Sequence, residues 1–163
     1  MNFRILQECQ NLYLKKNDII EILNSNVELL KKINDQIKIN FQPTKKIFIL
    51  CDYEQLSRVF LNIIKNSIES IEEKLENTSN FAKIINVEIV RRSDYIDIRF
   101  IDNGIGFANK KYNELIKPYF TTKKNGTGLG LSIVIKIIND HNGFINFLNH
   151  KNGAEVKISL PYK

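Results

Sequence analysis

At 163 residues and 43% hydrophobic, the chain suits one compact domain with a real buried core. No apolar run approaches the roughly 20 residues of a membrane span, and the opening MNFRILQECQ lacks the apolar core of a signal peptide, so a cytoplasmic chain without a membrane segment is expected. The net charge of +6 comes from lysines scattered through an Ile-, Asn- and Lys-rich sequence, with no dense basic run or nucleic-acid motif, and no nucleic-acid partner is expected. Cys9 and Cys51 sit in no CxxC pattern and read as reduced thiols, not a disulfide framework or a metal site.

Ile5 to Leu14 looks like the end of a helix, part of a helical leader over residues 1–17. Asp18 and Glu21 have capping-box spacing and open a helix through Ile19, Ile22, Leu23, Val27, Leu30 and Ile33. Two short strands are predicted next, Ile37 to Phe41 and Ile47 to Cys51, separated by a turn at Gln42-Pro43-Thr44. Asp52 and Gln55 cap a long helix whose apolar positions Leu56, Val59, Phe60, Ile63, Ile64, Ile71 and Leu75 keep helical spacing.

Beyond Asn77 the period turns to alternation. Val87 to Val90 and Ile96 to Ile101 form a predicted hairpin, with Ile96, Ile98 and Phe100 on one face and Asp97 and Arg99 on the other. A helix to about Asp140 follows a glycine cluster, then strands Phe144 to Leu148 and Ala154 to Leu160, with turns at Asn142-Gly143 and Asn152-Gly153. The expected fold is α+β, a two-layer sandwich of one mixed, mostly antiparallel sheet with helices on one face.

Four stretches carry candidate chemistry. Asn62 and Asn66 are spaced i, i+4, which puts both amides on one face of the long helix. Asparagine is a poor mid-helix residue, so the pair reads either as oxygen donors to a hydrated Mg²⁺ or as an exposed face of an Asn-rich protein. Asp102-Asn103-Gly104-Ile105-Gly106 ends a strand. There a carboxylate followed by close-approach glycines either accepts a hydrogen bond from an exocyclic amine such as adenine N6 or makes an ordinary Asp-Asn-Gly turn.

Lys117 to Lys124, KPYFTTKK, lies in a polar, lysine-rich segment from about Phe107 to Thr127. Tyr112, Leu115, Ile116, Tyr119 and Phe120 are its anchors, and it reads as a lid. Last, KNGTGLGLSIV places Gly126, Gly128 and Gly130, three of the seven glycines, within five residues before a helix. That cluster fits a phosphate chain at a helix N-terminus or, more blandly, a flexible loop.

In this order, Asn62-xxx-Asn66-Ser67, DNGIGF, PYFTTK and GTGLGLSIV resemble the N box, first glycine box, F box and second glycine box of sensor histidine kinases. The resemblance is to the catalytic ATP-binding domain, whose fold is shared with DNA gyrase and with the heat-shock chaperone and mismatch-repair ATPases. It covers about Asp18 to Pro161, and a catalytic domain over residues 18–163 is expected behind the leader. Within the family, NSIES, the lid ending TTKKNGTGLGLS and the leader FRILQECQNLYLKKNDIIEIL look most like the nitrogen-regulation class.

The resemblance implies roles, residue by residue. Asn66 would hold Mg²⁺ against ATP, with Asn62 close to the same ion and phosphates. Asp102 would read the adenine amine, with Gly104, Ile105 and Gly106 lining its approach. Thr121, Thr122 and Lys123 would meet the terminal phosphates, with Lys123 joining Asn62 and Asn66 in catalysis. Gly126, Thr127, Gly128, Leu129, Gly130 and Leu131 would present backbone N–H groups and open the helix behind. Glu69 stands where many relatives carry a lysine, which weakens any phosphate contact from that turn.

In gyrase-type ATPases the position of Asn62 is a glutamate that activates water; an amide is no general base, so slow hydrolysis and transfer to histidine are expected. The chain's two histidines, His141 in NDHNG and His150 in NHKNG, lack the context of a phosphoacceptor. The expected partner is a phosphoacceptor and dimerisation domain, in trans or on a missing N-terminal segment, with a response-regulator receiver domain downstream. Alternatives are a binding-only pseudokinase module, a gyrase- or chaperone-type ATPase and an anti-sigma serine kinase.

Overall fold

The computed structural model describes residues 12–78, 80–107 and 130–162. Two aspartates start its first two helices. Asp18 ends strand β1 (Lys15–Asp18), and its Oδ1 accepts from the Ile20 amide at 3.1 Å to cap α1 (Ile19–Ile33). The same oxygen accepts from Ile47 N–H at 3.1 Å, which ties the helix start to the chain entering β3 (Phe48–Cys51). Asp52 caps α2 (Tyr53–Asn77), accepting from Gln55 N–H at 3.1 Å. Each such cap satisfies helix-end donors that have no intrahelical partner.

β2 (Lys38–Phe41), β4 (Ile84–Arg91), β5 (Tyr95–Asp102), β6 (Phe144–His150) and β7 (Gly153–Pro161) make a five-stranded sheet in the order β2-β4-β5-β7-β6. β2 runs parallel to β4, and every other neighbour is antiparallel. The predicted alternation on β5 holds: Ile96, Ile98 and Phe100 are fully buried against the helices. Phe100 meets Phe60 of α2 with ring centroids 5.8 Å apart. One continuous core joins α1, α2, α3 (Gly130–Asp140) and the inner sheet face. Each fully buried Ile, Leu or Phe contributes roughly 1.5–3 kcal/mol, which makes this core the main source of stability. The opposite face carries ions instead: Arg99 binds Glu155 at 2.7 Å and Glu88 at 2.8 Å across three strands.

The structure departs from expectation at its N-terminal edge. The expected helix over Ile5 to Leu14 lies outside the described residues apart from its last three, which are not helical. KKND then forms β1, although lysine, asparagine and aspartate are depleted in strands. Pairing overrides propensity there, because β1 lies antiparallel to β3 and Asn17 Nδ2 donates to the Cys51 carbonyl at 2.8 Å. β1 and β3 form a separate two-stranded sheet, so the single sheet expected from sequence is two. Among the described residues no helix is long and apolar enough to cross a membrane.

His141 joins α3 to α2. Its Nε2 accepts from the Asp52 amide at 2.9 Å, so its Nδ1 carries the proton and donates to the Ile137 carbonyl at 2.7 Å. Both ring nitrogens of this buried residue are committed to backbone. His141→Ala is expected to cost about 2 kcal/mol, since it orphans the Asp52 N–H beneath the α2 cap. A denaturant titration checks this: the midpoint should fall at constant slope.

Candidate functional site

The site is built on one face of α2. Ser67, Ser70 and Lys74 follow at i, i+3 and i+7, the spacing of one helical stripe. All three hold the turn that follows β5. Ser67 Oγ donates to Asp102 Oδ2 at 3.0 Å, Ile105 N–H donates to Ser70 Oγ at 3.1 Å and to Ser70 O at 3.2 Å, and Lys74 Nζ donates to Asn103 O at 2.6 Å. Asp102 Oδ1 accepts from Gly104 N–H at 2.9 Å, closing an Asx turn.

Asn103 acts as a staple. Its side chain accepts from Ile84 N–H at 2.9 Å and donates to the Ala82 carbonyl, reinforcing the backbone bond from Asn103 N–H to the Ile84 carbonyl at the end of the β4–β5 pairing.

The glycines of this turn serve different ends. A Cβ on Gly104 would meet the Ser70 side chain and lie 2.6 Å from its backbone carbon, so this glycine lets the turn close onto α2. Gly106 has φ +76°, a left-handed conformation that favours glycine, and Asn149 Oδ1 lies 2.8 Å from where its Cβ would be. Ile105 between them is 41% exposed, an apolar side chain standing in solvent beside the buried carboxylate.

One and a half turns back along α2, Asn62 donates through Nδ2 to the Arg58 carbonyl at 2.9 Å. The Asn62 amide group is thus turned onto its own helix, and its Oδ1 lies 3.6 Å from the position of a Cβ on Gly130. That puts Asn62 at the N-terminus of α3, which Gly130 and the half-buried Leu131 begin. A groove of about 410 Å³ lies beside it, with Arg58 and Lys65 among its walls. Asn66, half-buried, lies between Asn62 and Ser67 along the helix. Thr121, Thr122, Lys123, Gly126, Thr127, Gly128 and Leu129 lie outside the described residues.

Residues 51–163 match the family described as histidine kinase-, DNA gyrase B- and HSP90-like ATPase. The chain belongs to that family. It is 34% identical over 140 residues to a sensor histidine kinase NtrY-like protein of Rickettsia bellii, covering 85% of this chain and 22% of the relative. It is 30% identical over 164 residues to sporulation kinase C of Bacillus subtilis, covering 98% of this chain and 36% of that one. The chain therefore spans about a fifth to a third of the length of these relatives. The catalytic domain of histidine kinase ThkA superposes with a TM-score of 0.75 over 92% of this chain and 98% of that one, at 22% identity, which shows the shared fold.

Within this histidine kinase-like ATPase domain, Asp102 is the electrostatic anomaly. Burial pushes its carboxyl above the ordinary aspartate range, against the opposing pull of the Gly104 amide, the Ser67 hydroxyl, the Ala154 amide and the Lys74 ammonium. The carboxylates on the sheet's outer face behave oppositely. At Glu155, the Arg99 guanidinium outweighs burial and holds the carboxyl low. At Asp97, burial pushes upward but Ser159, Lys157 and Arg92 outweigh it.

Sequence reading gave no role to Ser67, Ser70, Lys74, Asn103 or Arg58. For Ser67 and Ser70 the available signal was the spacing of small hydroxyl residues on the same helix as Asn62 and Asn66. Arg58 stands four residues before Asn62, on the same face.

Proposed function

We propose that the chain is the ATP- and Mg²⁺-binding catalytic domain of a sensor histidine kinase of the nitrogen-regulation type. On this reading it transfers the γ-phosphoryl group of ATP to a histidine on a separate acceptor domain or preceding segment, in the cytoplasm, with a response regulator receiving the group afterwards. Residues 1–17 would close the dimerisation region and residues 18–163 form the catalytic domain, whose folded unit takes in the strand Lys15–Asp18 as well.

One observation carries this: α2 touches Asp102 through Ser67 and the start of α3 through Asn62. Five residues of helix rise about 7.5 Å, so the carboxylate of Asp102 and the N-terminus of α3 are met at successive points along one rigid element, which supports a single site with a base end and a phosphate end. Asn66 lies between them along the helix, and its amide oxygen is a donor that could help hold a nucleotide-bound cation. The donors fit Mg²⁺ in that role. The described residues hold no cluster of three or more His, Cys, Asp or Glu that would make a protein cage, and Mg²⁺ keeps several waters and binds through substrate phosphates. When bound, the ion supplies charge neutralisation. Asn62 and Asn66 would orient it, Arg58 and Lys65 outnumber Glu54 among the groove's charged walls, and Asp102 would select the base. Neither Asn62 nor Asn66 is a base for water, and Asp102 would stand at the base end of the nucleotide, which favours transfer over hydrolysis.

Both ring nitrogens of His141 are bonded to backbone, and His150 Nε2 pairs with Glu155 at 2.9 Å within the ion cluster on the outer sheet face, which supports an acceptor outside this domain. The test is phosphorylation in trans. Mixed with Mg²⁺, ATP and an acceptor domain from a cognate kinase, the chain should label the acceptor's histidine, and Asn66→Ala should lose labelling by about 100-fold, partly restored by raised Mg²⁺. Nucleotide binding without labelling would make the chain a regulatory binding module; rapid ATP turnover would make it a gyrase-type ATPase.

A further inference from the structure

We infer that Ser67 is a positioning residue for base recognition: its hydroxyl fixes the Asp102 carboxylate so that one acceptor site stays available to the exocyclic amine of the nucleotide base. This rests on the reading of Asp102 given above and adds to it the part that orients the carboxylate.

A carboxylate offers about four acceptor sites. On Asp102, Gly104 N–H fills one on Oδ1 at 2.9 Å and Ser67 O–H fills one on Oδ2 at 3.0 Å. The Ala154 amide, opposite Asp102 in the β5–β7 register, adds a favourable dipole. At least one site therefore remains. Of the two hydrogen-bond donors, Gly104 is backbone and cannot be altered by side-chain replacement; Ser67 is the side-chain donor. It is 3% exposed and Asp102 7%, so solvent does not readily replace the hydroxyl if it is removed. Its single O–H proton is committed to Asp102, which leaves it no proton to donate to the nucleotide. Ser67 therefore acts through Asp102. The contact spans 35 residues of sequence and joins the helix that carries Asn66 to the strand end that reads the base. Loss of the hydroxyl frees the carboxylate to turn and favours its protonated form, which donates where an amine needs an acceptor.

The experiment compares two nucleotides on the folded protein. ATP carries the amine; purine riboside 5′-triphosphate lacks it but keeps the ring, ribose and triphosphate. Ser67→Ala should weaken ATP binding about tenfold while changing the purine analogue less than about twofold. Ser67→Cys, a weak donor of the same shape, should fall between wild type and alanine. Because both ligands bring the same phosphates and Mg²⁺, an effect transmitted through neighbouring Asn66 or through general loosening of α2 would weaken both alike, and that result overturns the proposal. Undiminished ATP binding by Ser67→Ala overturns it as well. If wild type binds ATP and the purine analogue equally, the reading of Asp102 itself fails, and the role of Ser67 goes with it.

Discussion

Gly104→Ala is expected to lower stability by about 3 kcal/mol and to abolish measurable nucleotide binding under conditions where the wild type is saturated. The reason is the identity of the atoms that an added methyl group would strike. They include the Ser70 hydroxyl and, at 2.6 Å, the Ser70 backbone carbon in the middle of α2. A flexible side chain would swing away, but a helix backbone does not. The turn must then lift from α2. Lifting it stretches three contacts at once: Ile105 N–H on Ser70, Lys74 on the Asn103 carbonyl, and Ser67 on Asp102. The carboxylate thus moves with the packing. In a chain of this size a loss of 3 kcal/mol lowers Tm by about 10 °C, which calorimetry resolves readily. Gly130→Ala is the matched contrast. Among the described residues its nearest neighbour would be Asn62 Oδ1 at an ordinary 3.6 Å, so a methyl group fits against α2 and the fold should keep its stability. An unchanged Tm for Gly104→Ala would refute the packing account of this glycine.

That contrast shows how far the sequence could be read. Glycine spacing marked both segments as places of close approach, and in the first of them the approach is real. What the spacing could not say is which neighbour comes close. Gly104 yields to a serine 34 positions earlier on a helix, and that pairing is set by the tertiary fold. The helix period of α2, the Asp52 cap and the alternation on β5 were legible because each is a local pattern with a local cause. β1 was not, because its residues have no strand preference and owe their conformation to β3, 30 to 36 residues away. The Ser67–Asp102 bond belongs to the same class. Motif order predicted that the Asn66 helix and the Asp102 turn share a site, while the hydroxyl that couples them looked like any small residue on a helix.

Asp102→Asn is expected to separate binding from folding. The charge that the fold buries is costly, since desolvation raises the carboxyl's pKa despite the Gly104 and Ser67 donors and a nearby ammonium. Replacing it with a neutral amide removes that cost, and Ser67 can reverse its hydroxyl to accept from the new NH₂ group. Tm should therefore hold or rise. ATP affinity should fall, because a charge-assisted hydrogen bond to the amine becomes a neutral one; the difference of about 1–1.5 kcal/mol corresponds to roughly 5- to 12-fold. The pH dependence distinguishes this from a general defect. If Asp102 reads the amine as proposed, ATP binding needs the ionised carboxylate, so affinity should decline as pH falls through the raised Asp102 pKa, above the range where an ordinary aspartate titrates. Stability runs the other way for this group. Its contribution is fully present below the ordinary aspartate pKa of the unfolded chain and is lost as pH rises through the higher folded value. Asp97 and Glu155, held low, oppose it: their stabilisation is present above the ordinary carboxylate range and lost as pH falls through their depressed values. Asp102→Asn should thus flatten the acid limb of ATP binding while leaving acid unfolding driven by the outer-face carboxylates. Titrating ATP affinity against pH in both proteins is the measurement that decides, and an acid limb that persists in the variant would show that another group reads the base.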